Sequence, residues 1–313
     1  MMPAYASFKQ VFDPPPALPA WQTGPVSIDN AQQIAYWNGG GGASWAAAGA
    51  RMDRELERLG ALAMDALAPA VGSSVLDVGC GAGTTTLELA GRVGPSGRVV
   101  GLDVSATLLA VARRRAVSRG RGNVRFVRAD AQDVALRVSF DAVFSRFGVM
   151  FFADPVAAFA SLRVVASPGG RLGFVCWQSR ADNPWFSAAS MALDGMAEVE
   201  LPPPADPAGP GPFAFADPGR VEAILRGAGW RDAGVRPETD ELVLDEAALA
   251  QRIAFAVEQG PGAAALAAAG GSVRAQAALR AQAAQRVRAA LLAFQRDGAV
   301  RFRRAVWVVT ARA

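Results

Sequence analysis

The sequence predicts an α/β protein built on a mostly parallel sheet covered by helices on both faces. Three observations predict it. From Ser74 to Trp177, short apolar runs alternate with helix-length segments. The first run ends in an acid and three alternating glycines, Asp77-Val78-Gly79-Cys80-Gly81-Ala82-Gly83, a turn that feeds a strand into a helix. Hydrophobic residues make up 51% of 313 residues, enough for a large buried core.

Taken in order, the first thirty residues are Pro- and aromatic-rich without a period and read as an extended arm. Ile34 to Asn38 and the glycines 39–42 follow, then a helical pattern from about Ser44 to Leu67, closed by Pro69 and Gly72. Strands are predicted at Val75–Val78, Val99–Asp103, Val124–Val127, Phe140–Phe144 and Arg171–Cys176. Helices are predicted at Thr84–Arg92, Thr107–Ser118 and Pro155–Val165, the last stopping before Pro168-Gly169-Gly170. After Trp177 the rhythm breaks. Asn183–Met196 and Pro218–Ala228 read as helices, residues 201–212 as a surface loop, and Ala247 to about Phe294 as two or three Ala-rich helices. Ala305–Thr310 is a strand that closes the sheet. The expected divisions are an arm or lid over 1–50, a core over 51–178, a helical cap with a late core helix and strand over 179–300, and a closing strand over 301–313.

Composition excludes several classes. Net charge is +4, and every basic residue except Lys9 is Arg, a pattern of coding bias rather than of a nucleic-acid partner. The basic run Arg113, Arg114, Arg115, Arg119, Arg121, Arg125 and Arg128 reads as a solvated helix face and strand edge. There is no histidine, and the two cysteines, Cys80 and Cys176, lack metal-ligand spacing, so no metal is expected. No apolar run reaches the ~20 residues of a membrane span. A cytoplasmic chain without membrane insertion is expected, and the Ala-rich helices leave a homodimer open.

The chemistry is carried by the strand ends. An acid ahead of the first glycine would crowd a pyrophosphate but can serve an ammonium group, directly or through water. A dinucleotide loop would place its third glycine at Thr84. Asp103 ends the second strand, where an acid can accept both hydroxyls of a ribose. Asp130 and the Ala131 N–H follow the third strand and suit an adenine edge. The fourth leads into Ser145-Arg146-Phe147-Gly148-Val149-Met150-Phe151-Phe152.

With these pieces in this order, residues 75–177 resemble the class I methyltransferases that depend on S-adenosylmethionine (SAM). They are most similar to the bacterial small-molecule branch around the ubiquinone/menaquinone C-methyltransferases. The resemblance rests on Asp77–Gly83, Gly101-Leu102-Asp103-Val104-Ser105, Ala129-Asp130-Ala131, Phe140–Phe144, and Leu162 with Pro168-Gly169-Gly170. Tyr36-Trp37-Asn38 and the final strand echo it more weakly. It implies a Rossmann-like fold of about seven strands with the last antiparallel, and SAM across the strand ends. Cofactor contacts are expected from Asp77, Gly79, Cys80, Gly81, Gly83, Thr84, Asp103, Val104, Asp130, Ala131, Ser145 and Tyr36. The quinone enzymes' N-terminal Tyr/His signature is missing, and Ser145-Arg146-Phe147-Gly148 replaces the Asn/Asp-Pro-Pro-aromatic motif of amide and adenine N-methyltransferases.

The implied reaction is in-line methyl transfer to a small hydrophobic or aromatic molecule, leaving S-adenosylhomocysteine. Two other readings stand beside it: a SAM enzyme that transfers no methyl, such as a decarboxylase or cyclase, and a non-catalytic SAM-binding partner. Arg146, Tyr36 and Asp154 are the candidate catalytic groups. Arg146 either meets an acidic substrate group or makes a structural ion pair. Tyr36 either closes over the cofactor or anchors the arm. Asp154 before Pro155 is either a base or a helix cap. Phe147, Met150, Phe151, Trp177 and Trp185 either line an apolar substrate pocket or pack a core.

Overall fold

A computed structural model describes residues 30–134, 136, 138–194, 196, 209–258 and 261–313. The predicted arm up to residue 29 and most of the predicted loop at 201–212 lie outside the described residues. The chain divides into two compact units. One comprises 1–177, 207–237 and 307–313, and the other 178–206 and 238–306.

The first unit opens with helices α1 (Ala31–Asn38) and α2 (Gly40–Leu67). Four glycines in a row predicted a break up to Ser44. The break is confined to Gly39, and the helix resumes through Gly40–Gly42. Packing explains this: a Cβ on Gly41 would lie 2.4 Å from the Tyr36 ring, and one on Gly42 would lie 2.0 Å from the Trp37 carbonyl oxygen. The glycines let α1 fold closely onto the start of α2.

Alternation then runs as predicted: β1 (Ser74–Val78), α3 (Thr84–Arg92), β2 (Arg98–Asp103), α4 (Ala106–Ser118), β3 (Val124–Arg128), β4 (Phe140–Arg146), α5 (Pro155–Val164) and β5 (Ala166–Trp177). β5 starts earlier than predicted. Phe140 pairs with Ala166 but Ala142 with Arg171, so Pro168-Gly169-Gly170 is absorbed as an irregularity within the strand. Later come α6 (Ala188–Leu193), α7 (Pro218–Gly227), β6 (Arg231–Leu244), α8 (Glu246–Glu258), α9 (Pro261–Ala268), α10 (Val273–Leu292), β7 (Gln295–Arg296) and β8 (Ala299–Arg312). Asn183–Met196, read as one helix, is a 3₁₀ turn at Pro184–Phe186 followed by the short α6.

The sheet order is β3-β2-β1-β4-β5-β8-β6, with β7 turned back on β8. β1 is parallel to β2 and β4, β2 to β3, and β4 to β5. The Ala313 N–H donates to the Gly170 carbonyl at 2.9 Å and the Gln178 N–H to the Ala305 carbonyl at 3.0 Å, so β8 runs antiparallel to β5. All five residues of β1 are buried, as a central parallel strand requires. The chain reverses its direction of sheet growth between β1 and β4, and open α/β sheets bind ligands at the carboxyl ends of such strands.

The second unit has its own apolar core, including Leu242, Leu244, Leu266, Val287, Leu291 and Phe302. Asn183 is fully buried there and spans the Ala305 backbone: its Nδ2 donates to the carbonyl and its Oδ1 accepts the N–H, both at 2.9 Å. No helix among the described residues is long and apolar enough to cross a membrane.

Candidate functional site

β1 delivers Asp77 to the start of the glycine loop, fully buried. The hydroxyls of Thr85 and Thr86, on the first turn of α3, donate to its Oδ2 at 2.8 and 2.6 Å. Oδ1 has no hydrogen-bond partner. Burial raises the Asp77 carboxyl from 3.8 to about 6, against the two hydroxyls and the Arg146 charge, which favour the ionised form. A buried carboxylate with one empty oxygen is costly unless something else meets it.

The loop beyond is tight. Gly79 and Gly83 take positive φ, +67° and +81°. A Cβ on either would meet a neighbour at 2.8 Å, the Gly148 Cα in the first case and the Ala112 Cβ in the second. Gly81 differs: its Cβ position is 4.0 Å from the Trp45 Nε1, so room remains on that side. Cys80 is buried, and burial pushes its thiol well up, which leaves it a neutral packing group.

β2 ends in Asp103, whose Oδ2 accepts the Gly81 N–H at 2.7 Å and whose Oδ1 accepts the Ser105 N–H at 2.8 Å. Burial raises its pKa, opposed by these backbone donors. The Val104 carbonyl accepts from Asn38 Nδ2 and Arg128 Nε at 3.1 and 3.2 Å. After β3, Asp130 Oδ1 accepts the Gln132 N–H at 3.0 Å, and Ala131 begins a buried 3₁₀ turn. Asp130 Oδ2 accepts Asn30 Nδ2 at 2.9 Å. The Asn30 Oδ1 is buried without a partner.

The loop after β4 is stapled to the glycine loop. The Ser145 hydroxyl donates to the Val78 carbonyl at 2.8 Å and accepts the Gly148 N–H at 3.2 Å. Between them Phe147 holds a left-handed φ of +59°, unusual for a bulky residue, and stacks on Trp177 with centroids 4.2 Å apart. Met150 is buried, and Phe151 meets Trp37 edge-on at 5.2 Å.

Of the three candidate catalytic groups, two have structural partners. Asp154 Oδ1 accepts the Ala157 N–H at 2.9 Å, the helix-cap alternative. Arg146 Nη2 lies 3.9 Å from Asp53 Oδ1, and burial lowers its pKa against the opposing charges of Asp53 and Asp77. Tyr36 is 56% exposed, its ring edge-on to Trp37. Trp185 belongs to the second unit, where it packs on Phe186 at 4.0 Å and under Arg252 at 5.3 Å.

Several residues of this cluster escaped the sequence reading. Asn30, Trp45, Asp53 and Gln132 reach it from positions distant in the chain, and no local spacing marks them. Arg115, read as part of a solvated basic face, instead turns inward to Asp53 at 2.9 Å.

Residues 75–170 match the methyltransferase domain family. This stretch is similar to methyltransferase domains. Aklanonic acid methyltransferase DauC of Streptomyces sp. (strain C5) is 34% identical over 117 residues, 37% of this chain and 53% of that protein. Ubiquinone/menaquinone biosynthesis C-methyltransferase UbiE of Hahella chejuensis is 39% identical over 120 residues, 38% and 48% respectively. The chain thus spans about half the length of the curated relatives it matches. In fold, the YcgJ protein from Bacillus subtilis is similar with a TM-score of 0.52 and 16% identity, covering 82% of this chain and 98% of that one. The methyltransferase domain accordingly occupies β1 to the start of β5, and the second unit lies outside the matched stretch.

Proposed function

We propose that this protein is an enzyme that transfers a methyl group from SAM to a small, largely apolar or aromatic molecule. The observation that carries the proposal is Asp77: a buried acid at the glycine loop with one oxygen unpartnered. An ammonium, met directly or through water, completes its hydrogen bonding. The other strand ends suit the rest of the cofactor. Each Asp103 oxygen accepts one backbone N–H and keeps a lone pair for a ribose hydroxyl. Asp130 and the Ala131 N–H suit the adenine edge. Gly79, Cys80, Gly81, Gly83 and Thr84 form the backbone wall, Val104 and Ser145 hold neighbouring segments in place, and Tyr36 closes from α1. The lack of a Cβ at Gly81, with space on that side, fits a ligand lying against the main chain.

SAM, when bound, supplies a methyl already activated by its sulfonium. The chain's task is then to hold the acceptor in line and exclude water, which can lower such a barrier by roughly 7–11 kcal/mol. Phe147, Met150, Phe151 and Trp177 provide an apolar wall after β4 and β5 for an acceptor of matching character. Arg146, 3.9 Å from Asp53, carries a charge that favours the ionised form of Asp77.

The test is calorimetric titration with SAM, S-adenosylhomocysteine and NAD, with Asp103→Ala alongside. Micromolar binding of both adenosyl ligands, absent for NAD and lost in the variant, is expected. Folded protein that binds neither adenosyl ligand refutes the proposal.

A further inference from the structure

Helix α2 turns one acid toward the glycine loop. Asp53 Oδ1 accepts the Thr84 hydroxyl at 2.6 Å, and Oδ2 pairs with Arg115 Nη1 at 2.9 Å. The same Nη1 donates to Thr84 Oγ1 at 2.9 Å and to the Ala82 carbonyl at 3.2 Å. Arg146 Nη2 also lies 3.9 Å from Oδ1. Residues of α3, α4 and β4 therefore converge on this one side chain of α2, and the contacts of its partner Arg115 bracket Gly83, the left-handed residue that opens α3.

A second ion pair provides the contrast. Asp65, near the C-terminal end of α2, pairs with Arg92 at the end of α3. That pair ties the same two helices and touches no loop residue. Helix docking alone therefore does not account for what Asp53 and Arg115 hold.

We infer that Asp53 is a positioning residue for the cofactor loop: with Arg115 it fixes the Ala82 carbonyl and the Thr84 hydroxyl and so aims the free N–H groups at the start of α3. The inference rests on the cofactor reading above. It also gives α2 a direct line to the loop. An arginine that donates to two loop oxygens needs a counter-charge to stay in place, and Asp53 is the acid paired with it. Asn in its place could still accept the Thr84 hydroxyl but would not hold the guanidinium by charge.

Two readouts test it on the full chain: S-adenosylhomocysteine affinity by calorimetry, and amide hydrogen exchange over residues 79–85 without ligand. Asp53→Asn should weaken the affinity about tenfold or more and speed loop exchange, with an unchanged melting temperature. Asp53→Glu, which keeps the charge, should restore most of the affinity, and Asp65→Asn should change neither readout. Should Asp53→Asn fail to fold, Arg115→Gln should reproduce the loss. Wild-type affinity and exchange in the folded variant overturn the inference. If the wild-type chain binds no adenosyl ligand, the cofactor reading falls, and loop exchange alone decides for or against the hold of Asp53.

Discussion

Asp77 in the first unit and Asp240 in the second are both buried acids on strands, and their surroundings differ. Asp240 faces Arg304 in a two-pronged pair, Nε to Oδ1 at 2.9 Å and Nη2 to Oδ2 at 2.7 Å. Both of its oxygens are answered, and the two side chains retain 2% and 4% of their exposure. Asp77 has two donors on one oxygen and none on the other. The completed pair reads as structure. The incomplete one reads as a place prepared for something that arrives later.

Breaking the completed pair should have the largest effect. Arg304→Met removes the two-pronged partner of the buried Asp240 carboxylate and should cost about 3–5 kcal/mol of stability, seen in denaturant unfolding. Adding Asp240→Leu should recover most of the loss, because an apolar pair needs no charge compensation. Neither change should alter S-adenosylhomocysteine affinity where the protein remains folded. A large affinity change would erase the contrast between the two acids.

Asp77→Asn should act in the opposite sense. The native carboxyl titrates near 6, above the unfolded value near 3.8, so its favourable contribution is complete below about pH 4 and is lost as pH rises through 6. Asn does not titrate. The variant should therefore gain stability relative to wild type between pH 4.5 and 7.5, by at most about 3 kcal/mol. Ligand affinity should fall about tenfold or more, since a charge-assisted contact is removed. Thermal unfolding at the two pH values reads the first effect and calorimetry the second. A stability difference independent of pH would show that Asp77 is already satisfied.

The smallest effect is expected at Asn30. Its amide donates to Asp130 Oδ2, one oxygen of the acid proposed for the adenine edge, while its own Oδ1 is buried without a partner. Asn30→Ala frees that acceptor and should tighten S-adenosylhomocysteine binding by about two- to threefold. Weaker binding would mean that Asn30 helps to hold the nucleoside rather than competing for its acceptor.

What was legible in the sequence follows from whether the physics is local. β1 to β5 and α3 to α5 are marked by apolar runs, caps and glycine turns, and their limits fall within a few residues of the prediction except at the start of β5. The acids Asp77, Asp103 and Asp130 stand out in the sequence because each lies at or just beyond the end of such a run. β6 was not located: Arg231–Leu244 contains Gly234, Pro237 and many charges, and most of it is exposed. A sheet edge needs no alternation when water meets most of its side chains. Asp53, Arg115 and Asn30 act through partners 31 to 100 residues away, a separation that no window of local pattern spans.

β8 lies between β5 and β6, yet it is the last of the strands to be synthesised. Until residues 299–312 emerge from the ribosome, the finished β5 presents an open row of backbone donors and acceptors, and β6 has no partner to pair with. The growing chain thus passes through an interval in which its sheet is vulnerable to foreign strands, and long-range pairing of this kind is slow to form. Truncation before residue 299 should yield insoluble product even though every residue matched to the methyltransferase domain is present.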